Sequence, residues 1–478
     1  MFKYHKGGSF KVFSEEDLKM IHEATVYLME NVGIKVYNAA ARDIFKQAGA
    51  TVDAEKGIVK IPRSMLESAI DSTPSRILLC GREEKNDLIL EGTNTYLGTG
   101  GTVLYTLVLE TGEKRLTEVR DVAQYARMTD YLDNAAFFVI NCYPNDVPSE
   151  HVDINRFYHS LANTSKHVMG GIYTLEGLRS VIKMAEDIAG SKNKFLERPF
   201  LSFITLMISP MVMDDKYTDF LMEVARYGLP ITTPSEPLAG ATAPVTLAGT
   251  VTINNIETLG GLVLTQLINK GSPVLYGTTS SIVDMNIGTY MSGAIESALI
   301  NAGCAQMAHY YNLPLYATGG MSDSKVVDAQ AGYESAATAM VVALAGANYI
   351  HDAFGLLEFC NTLSYEKMVI DNEIVGMALR AVRGIEVSKE TIAAGIIEQV
   401  GPGGQFFSHL HTARNVRKEF FFPKVSDRRP RQAWEEAGSP DAFERARIEA
   451  RRILNEHKPL GFSEDMEKYL RETYPGIK

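Results

Sequence analysis

The chain has 478 residues, 45% hydrophobic and 22% charged, with 58 acidic against 47 basic side chains and a formal net charge of −11. These proportions belong to a folded globular protein with a large core and exclude both a disordered chain and a nucleic-acid binder that works by phosphate neutralisation. No run approaches the roughly 18 uncharged apolar residues that a membrane span needs, and no apolar signal segment follows the start, so the expected setting is cytoplasmic, with Cys80, Cys142, Cys304 and Cys360 as scattered reduced thiols.

In chain order, Ser14-Glu15-Glu16-Asp17 opens a helix in the manner of a capping box, and Leu18, Ile21, Ala24, Leu28 and Met29 supply its apolar face. A short helix, a strand at 58–61 and a second helix follow, then alternating strands from 87 to 116 with a hairpin turn at Glu110-Thr111-Gly112-Glu113. Within them, Gly98-Thr99-Gly100-Gly101-Thr102 is a glycine bend rather than a dinucleotide loop, because strand residues and not a helix come next. From 117 the rhythm changes to alternating strand and helix. Strands are expected at 136–143, 166–173, 200–209, 230–236, 273–281, 314–320, 350–354 and 404–409, with helices between them at 153–162, 175–188, 214–227, 248–269, 290–311, 329–345 and a broken pair from 366 to 400.

Buried strands joined by crossover helices imply a parallel sheet, and eight units in succession predict an α/β fold closed as a TIM (β/α)8 barrel; an open doubly wound sheet is the alternative. The expected plan is an accessory α+β region at 1–116, the barrel at 117–422 and a helical extension at 423–478. The basic cluster Arg414, Arg417, Lys418, Lys424, Arg428, Arg429 and Arg431 reads as a solvated helix end, or else as a docking surface for an acidic partner.

Barrel enzymes react at the C-terminal ends of their strands. Those ends carry no lysine for a Schiff base, and the chain has neither a G-x-S-x-G elbow nor an HExxH pair. They do carry Glu236 and Asp352, a carboxylate pair of the kind glycoside chemistry uses or a structural pair, and His351 beside Asp352. His409 and His411 form an HxH pair suited to zinc, with His351 as a candidate third ligand, but no further cysteine or histidine is spaced to complete a site. The rest is aromatic: Tyr143, Tyr173, Phe354 and Phe406 offer ring faces of the sort that hold a quaternary ammonium, each contact worth roughly 0.5–2 kcal/mol when desolvated.

Three stretches carry a resemblance. Residues 240–249 (GATAPVTLAG), 322–335 (SDSKVVDAQAGYES) and 345–352 (AGANYIHD), with Asp427-Arg428-Arg429 and Trp434, resemble the trimethylamine methyltransferase family of corrinoid-dependent enzymes over nearly the whole chain. The resemblance implies a barrel that passes a methyl group from a methylated amine to cob(I)alamin on a separate corrinoid protein, with no tightly bound cofactor or metal of its own. The founding members carry pyrrolysine. This chain is written in the twenty standard residues and so resembles the branch whose recognised members demethylate quaternary amines such as glycine betaine, with carnitine or proline betaine as alternatives. On that reading Phe354, with Tyr96 or Tyr143 and Phe406, shields the cation, His351 or Gln405 hydrogen-bonds the substrate carboxylate, and Asp352 and Glu236 offset the ammonium charge. A betaine-binding protein without catalysis, or a zinc enzyme using His409 and His411, are the rival readings. Self-association is common among barrels of this size.

Overall fold

The computed structural model describes all 478 residues. Its centre is a sheet of nine strands: β1 (His5–Lys6), β2 (Asn94–Leu97), β3 (Phe137–Val139), β4 (His167–Gly171), β5 (Leu201–Ile204), β6 (Ile231–Thr232), β7 (Val274–Gly277), β8 (Leu315–Thr318) and β9 (Tyr349–His351). Their order across the sheet is β1-β2-β9-β8-β7-β6-β5-β4-β3. Strands β2 to β9 are mutually parallel, and β1 alone runs antiparallel, against β2. Segments such as Phe137–Val139, Val274–Gly277 and Leu315–Thr318 are buried throughout, as unbroken apolar strands are when both faces of a parallel sheet are covered.

The helices follow the strands as crossovers. After α1 (Glu15–Asn31), which Ser14 and Asp17 close with the capping box seen in the sequence, come α2 (Val119–Tyr131), α3 (Val152–Asn163), α4 (Leu175–Ala189), α5 (Asp215–Tyr227), α6 (Leu247–Ile268), α7 (Ile295–Tyr310), α8 (Ala329–Ala345) and α9 (Tyr365–Arg383). The main hydrophobic core, of 90 residues, runs from Leu18 to Tyr474, beside a separate cluster of 12. No helix is long and apolar enough to cross a membrane.

The expectation of a closed eight-stranded barrel fails in two respects. The sheet is mixed, nine-stranded and curled but open, its ladder ending at β1 on one side and β3 on the other. The segment 404–409, expected as the eighth strand, is an exposed loop ahead of the helix Leu410–Glu419. The eighth parallel strand is instead β2, which pairs with β9 through Tyr349↔Tyr96 and Ile350↔Leu97. Closure is blocked because β1 takes the other edge of β2, through His5↔Thr95 and Lys6↔Asn94. Between the segments of β2 and β3 there remain isolated ties: the Ala136 N–H to the Leu97 carbonyl at 2.8 Å, the Thr99 hydroxyl to the Val139 carbonyl at 2.9 Å, and beyond the strands a single parallel bridge, Val103↔Cys142.

Candidate active site at the strand ends

Strand β9 ends on His351, and the chain turns away through Asp352 at φ +70° and Gly355 at φ +85°. A left-handed backbone is costly for most side chains and least so for Asp and Asn, so a carboxylate is held at this corner by construction. The turn is pinned from both sides. The Ala353 N–H bonds the Gly98 carbonyl at 3.0 Å, and the Gly355 N–H bonds Asp371 Oδ2 at 2.7 Å. Asp371 is in turn ion-paired with Lys367, both side chains fully buried.

The Thr318 hydroxyl, at the end of β8, donates to Asp352 Oδ2 at 2.6 Å. Asp352 Oδ1 lies 2.8 Å from His351 Nδ1, but out of line for a hydrogen bond, and that oxygen and both ring nitrogens have no hydrogen-bond partner in the protein. Groups that are so nearly buried and unsatisfied are rare and are concentrated where a ligand completes them. Gly100 makes the arrangement possible: a Cβ there would fall 2.5 Å from the Asp352 nitrogen and 2.6 Å from His351 Nδ1, and closer still to Asp352 Oδ1.

Below His351 the inside of the sheet is filled by rings. Tyr316 stacks on His351 with centroids 4.1 Å apart, Tyr349 lies 5.7 Å from Tyr316, and Phe137 lies 3.5 Å from Tyr349, all within 20° of parallel. This column spends its ring faces on itself. Above it, Glu236 follows β6 between the buried Ser235 and Pro237. The Glu236 side chain is exposed, yet enough groups crowd it that desolvation, and next the charge of Asp352, push its carboxyl up to about 7. Tyr290 projects from a hairpin (Ser281–Asp284 and Thr289–Met291); burial raises its hydroxyl, reinforced by Glu236, Cys360, Asp352 and Asp323. Burial likewise raises the Cys360 thiol, followed by the charges of Asp352, Glu236 and Asp323. Asp323 accepts from the Ser292 N–H at 2.8 Å and its hydroxyl at 2.6 Å, and is raised by burial. The charges that act most strongly here are acidic, those of Asp352, Glu236 and Asp323, while the Lys325 ammonium donates to the main-chain carbonyl of Asp323 at 2.9 Å.

The family model for trimethylamine methyltransferase (MTTB) matches residues 3–474. This chain belongs to that family. It is 39% identical over 459 residues to trimethylamine methyltransferase MttB of Desulfitobacterium hafniense (strain DSM 10664 / DCB-2), covering 96% of this chain and 92% of the relative. It is 32% identical over 465 residues to the glycine betaine methyltransferase of Desulfitobacterium hafniense (strain Y51), covering 97% and 96%. Trimethylamine methyltransferase MttB of Methanosarcina barkeri is 32% identical over 476 residues, covering 98% and 95%. The solved Methanosarcina barkeri monomethylamine methyltransferase aligns with 93% of each chain at 11% identity and a TM-score of 0.48, a likeness too loose to carry an argument.

Within this family member the residues singled out from sequence fall into two groups. His351, Asp352 and Glu236 come together at the strand ends. The other five lie apart from them. Phe354 is fully buried in the main core. Tyr96 is buried in a smaller cluster with Phe137, Tyr316 and Tyr349; its hydroxyl accepts the Ile89 N–H at 3.2 Å, and its ring meets Phe2 and Tyr4 edge-on. Tyr143 is half-buried and packs edge-on against Tyr173, centroids 5.4 Å apart. Gln405 and Phe406 are exposed in the loop that precedes the helix Leu410–Glu419. There the His411 N–H bonds His409 Nδ1 at 3.0 Å, so the HxH pair caps a helix, and no three His, Cys, Asp or Glu side chains are grouped as metal ligands. Tyr290, Tyr316, Gly100 and Cys360 were not anticipated. The signal available for Gly100 was the glycine-rich run itself; Tyr290 was hidden by an expected helix over 290–311, which in fact begins at Ile295.

Proposed function

We propose that this protein transfers a methyl group from a quaternary amine, glycine betaine foremost, to cob(I)alamin carried on a separate corrinoid protein, and releases the tertiary amine. The observation that carries this reading is the excess of negative charge that Glu236, Asp352 and Asp323 bring to the strand ends, with Asp352 Oδ1 buried and unpartnered and Lys325 bonded to the Asp323 main chain. Such a site is electrostatically incomplete, and a permanently charged ammonium completes it without needing a hydrogen bond. Membership of the trimethylamine methyltransferase family supports methyl transfer as the reaction.

In the reaction the C–N bond breaks with its electron pair retained by nitrogen, while cobalt supplies the pair for the new bond to carbon. A quaternary nitrogen leaves as a neutral amine, so no general acid is required. The chain's own task is to hold the cation, exclude water and aim one methyl outwards. Asp352, fixed by Thr318, and Glu236 offset the ammonium charge, and Tyr290 offers a ring beside them. His351, whose nitrogens lack partners, is the group in reach to hydrogen-bond a substrate carboxylate. Gln405, Tyr96, Tyr143, Phe354 and Phe406 remain proposals with weaker support, since none of them stands beside the carboxylates.

A second reading, trimethylamine as substrate, is favoured by the 39% identity to a trimethylamine methyltransferase. Mixing the protein with cob(I)alamin and each amine in turn, and following the methylcobalamin spectrum, decides between them. Methyl transfer from glycine betaine but not trimethylamine supports the first reading; the reverse supports the second. Transfer from neither, nor from carnitine or proline betaine, overturns both.

A further inference from the structure

Strand β3 turns alternate residues inwards. Phe137 and Val139 lie in the inner cluster with Tyr316 and Tyr349, whereas Phe138 and Ile140 lie in the main core beneath the helices. Asn141 is next in the inward series, just past the end of β3, and so faces the same interior as His351. Its main-chain carbonyl accepts the Val103 N–H at 3.0 Å. Its side chain is fully buried, yet neither the amide oxygen nor the amide nitrogen has a hydrogen-bond partner in the protein. A carboxamide can donate two hydrogen bonds and accept two, and burying one that makes none is a cost that a ligand can relieve.

Behind Asn141 stands a cation. Arg156, on α3 and 1% exposed, donates to the Ile140 carbonyl at 3.1 Å, the Gly171 carbonyl at 2.9 Å and the Thr102 hydroxyl at 3.2 Å, all of them neutral, and its Nε has no partner. The acid one turn before it, Asp153, spends its oxygens on the Tyr173 and Thr174 N–H groups. A buried guanidinium without a paired carboxylate makes the end of β3 the positive side of the strand ends, opposite the negative side set by Asp352, Glu236 and Asp323.

Asp352 and Asn141 flank one segment of chain, since Gly100 abuts Asp352 and Val103 bonds Asn141. In the direction across the strands their backbones are therefore about two strand spacings apart, roughly 10 Å. A short zwitterion spans such a gap: about 5 Å from a carboxylate to the ammonium nitrogen it touches, ~3 Å on to the ligand's own carboxylate, and ~2.9 Å across a hydrogen bond. An ammonium lacking the acid group reaches only the negative side. We propose, on the quaternary-amine reading above, that Asn141 is a specificity residue: its amide N–H donates to the substrate carboxylate, shared with His351 and with the Arg156 charge behind it, and so selects a betaine over a simple ammonium. A site built to hydrogen-bond one group of a substrate discriminates most strongly against analogues that lack it.

The test is calorimetric binding of glycine betaine and of tetramethylammonium, a quaternary nitrogen without a carboxylate, to the full chain and two variants. Methyl transfer from glycine betaine to cob(I)alamin is followed in the unaltered protein alongside. Asn141→Leu keeps the volume and removes both unpartnered polar atoms, so the ligand-free variant should melt no lower than the unaltered protein. It should bind glycine betaine ~10- to 150-fold more weakly, the loss of one hydrogen bond to a charged group, while tetramethylammonium binding changes less than about threefold. Asn141→Ala should give the same split, and it carries the test if the leucine variant does not fold. Betaine affinity that changes less than about threefold in a folded variant, when the unaltered protein demethylates betaine, overturns the role of Asn141 and leaves the methyl-transfer reading intact. Equal loss of both ligands makes Asn141 a structural residue and overturns the role as well. An unaltered protein that neither binds nor demethylates a betaine overturns both.

Discussion

Replacing Asp352 by Asn tests the electrostatic argument with little disturbance of shape. Asn tolerates the φ of +70° found at this position, and its amide oxygen still accepts from the Thr318 hydroxyl now 2.6 Å away, so geometry is retained while one charge is removed. A carboxylate in contact with the methyl groups of an ammonium stands about 5 Å from its nitrogen. With an effective dielectric constant between ~20 and ~80, that pair is worth about 1–3 kcal/mol, or roughly 5- to 150-fold in affinity. Burial is the main reason the Glu236 carboxyl stands high and the charge of Asp352 adds to it, so the substitution should also lower Glu236, though burial continues to hold it up. The assay is steady-state methyl transfer from glycine betaine to cob(I)alamin, supplemented by direct binding of the betaine. An Asp352→Asn protein with unchanged KM, kcat and Kd, and unchanged thermal stability, would refute the idea that the acidic cluster recognises a cation.

Glu236 titrates near neutrality, and a bound cation favours its ionised form, so affinity should rise as pH increases through about 7 and binding near that pH should release a proton. Calorimetry in two buffers of different ionisation enthalpy measures that proton, and Glu236→Gln should abolish it. Gly100→Ala should drive Asp352 and His351 out of position and reduce kcat/KM by more than tenfold while the far-ultraviolet circular dichroism stays the same; full activity would show that the close approach is relaxed at no cost. Glu257, fully buried, accepts from the Met211 N–H at 2.6 Å and the Ser209 hydroxyl at 2.8 Å, but burial holds its carboxyl up at about 7 against an ordinary 4.5. A folded-state pKa above the unfolded one means the ionised group opposes folding, so its effect is absent below about pH 4.5 and stability falls as pH rises towards 7, by ~3 kcal/mol in all. Denaturant unfolding at pH 5 and pH 8 should show that slope, and Glu257→Gln should flatten it.

Much of the fold was legible locally. The apolar runs that became β3 to β9 stand out because buried parallel strands need no polar face, and the crossover helices between them follow from amphipathic spacing. The capping box at Ser14 and the corner His351-Asp352 were equally plain. Strand 404–409 was not a strand, and nothing local says so: Gly404-Gln405-Phe406-Phe407 has strand-like composition, but the place it was to fill is taken by Asn94–Leu97, some 300 residues earlier. Likewise, Phe354 and Tyr96 are aromatic at strand ends whether they face a ligand or the core. Only the packing decides, and it places both in hydrophobic clusters.

The amino-acid sequence by itself determined the parallel α/β character of the chain, its family and the delivery of a histidine and two carboxylates to strand ends, because these depend on periodicity and on residue type near in sequence. The tertiary structure alone decided that the sheet stays open, since β1 and β3 compete for the same edge of β2, and that the charges of Asp352, Glu236 and Asp323 bear on Cys360 and Tyr290. Both are consequences of contacts between segments distant along the chain, where edge pairing and electrostatic proximity depend on three-dimensional packing and leave no local pattern to read.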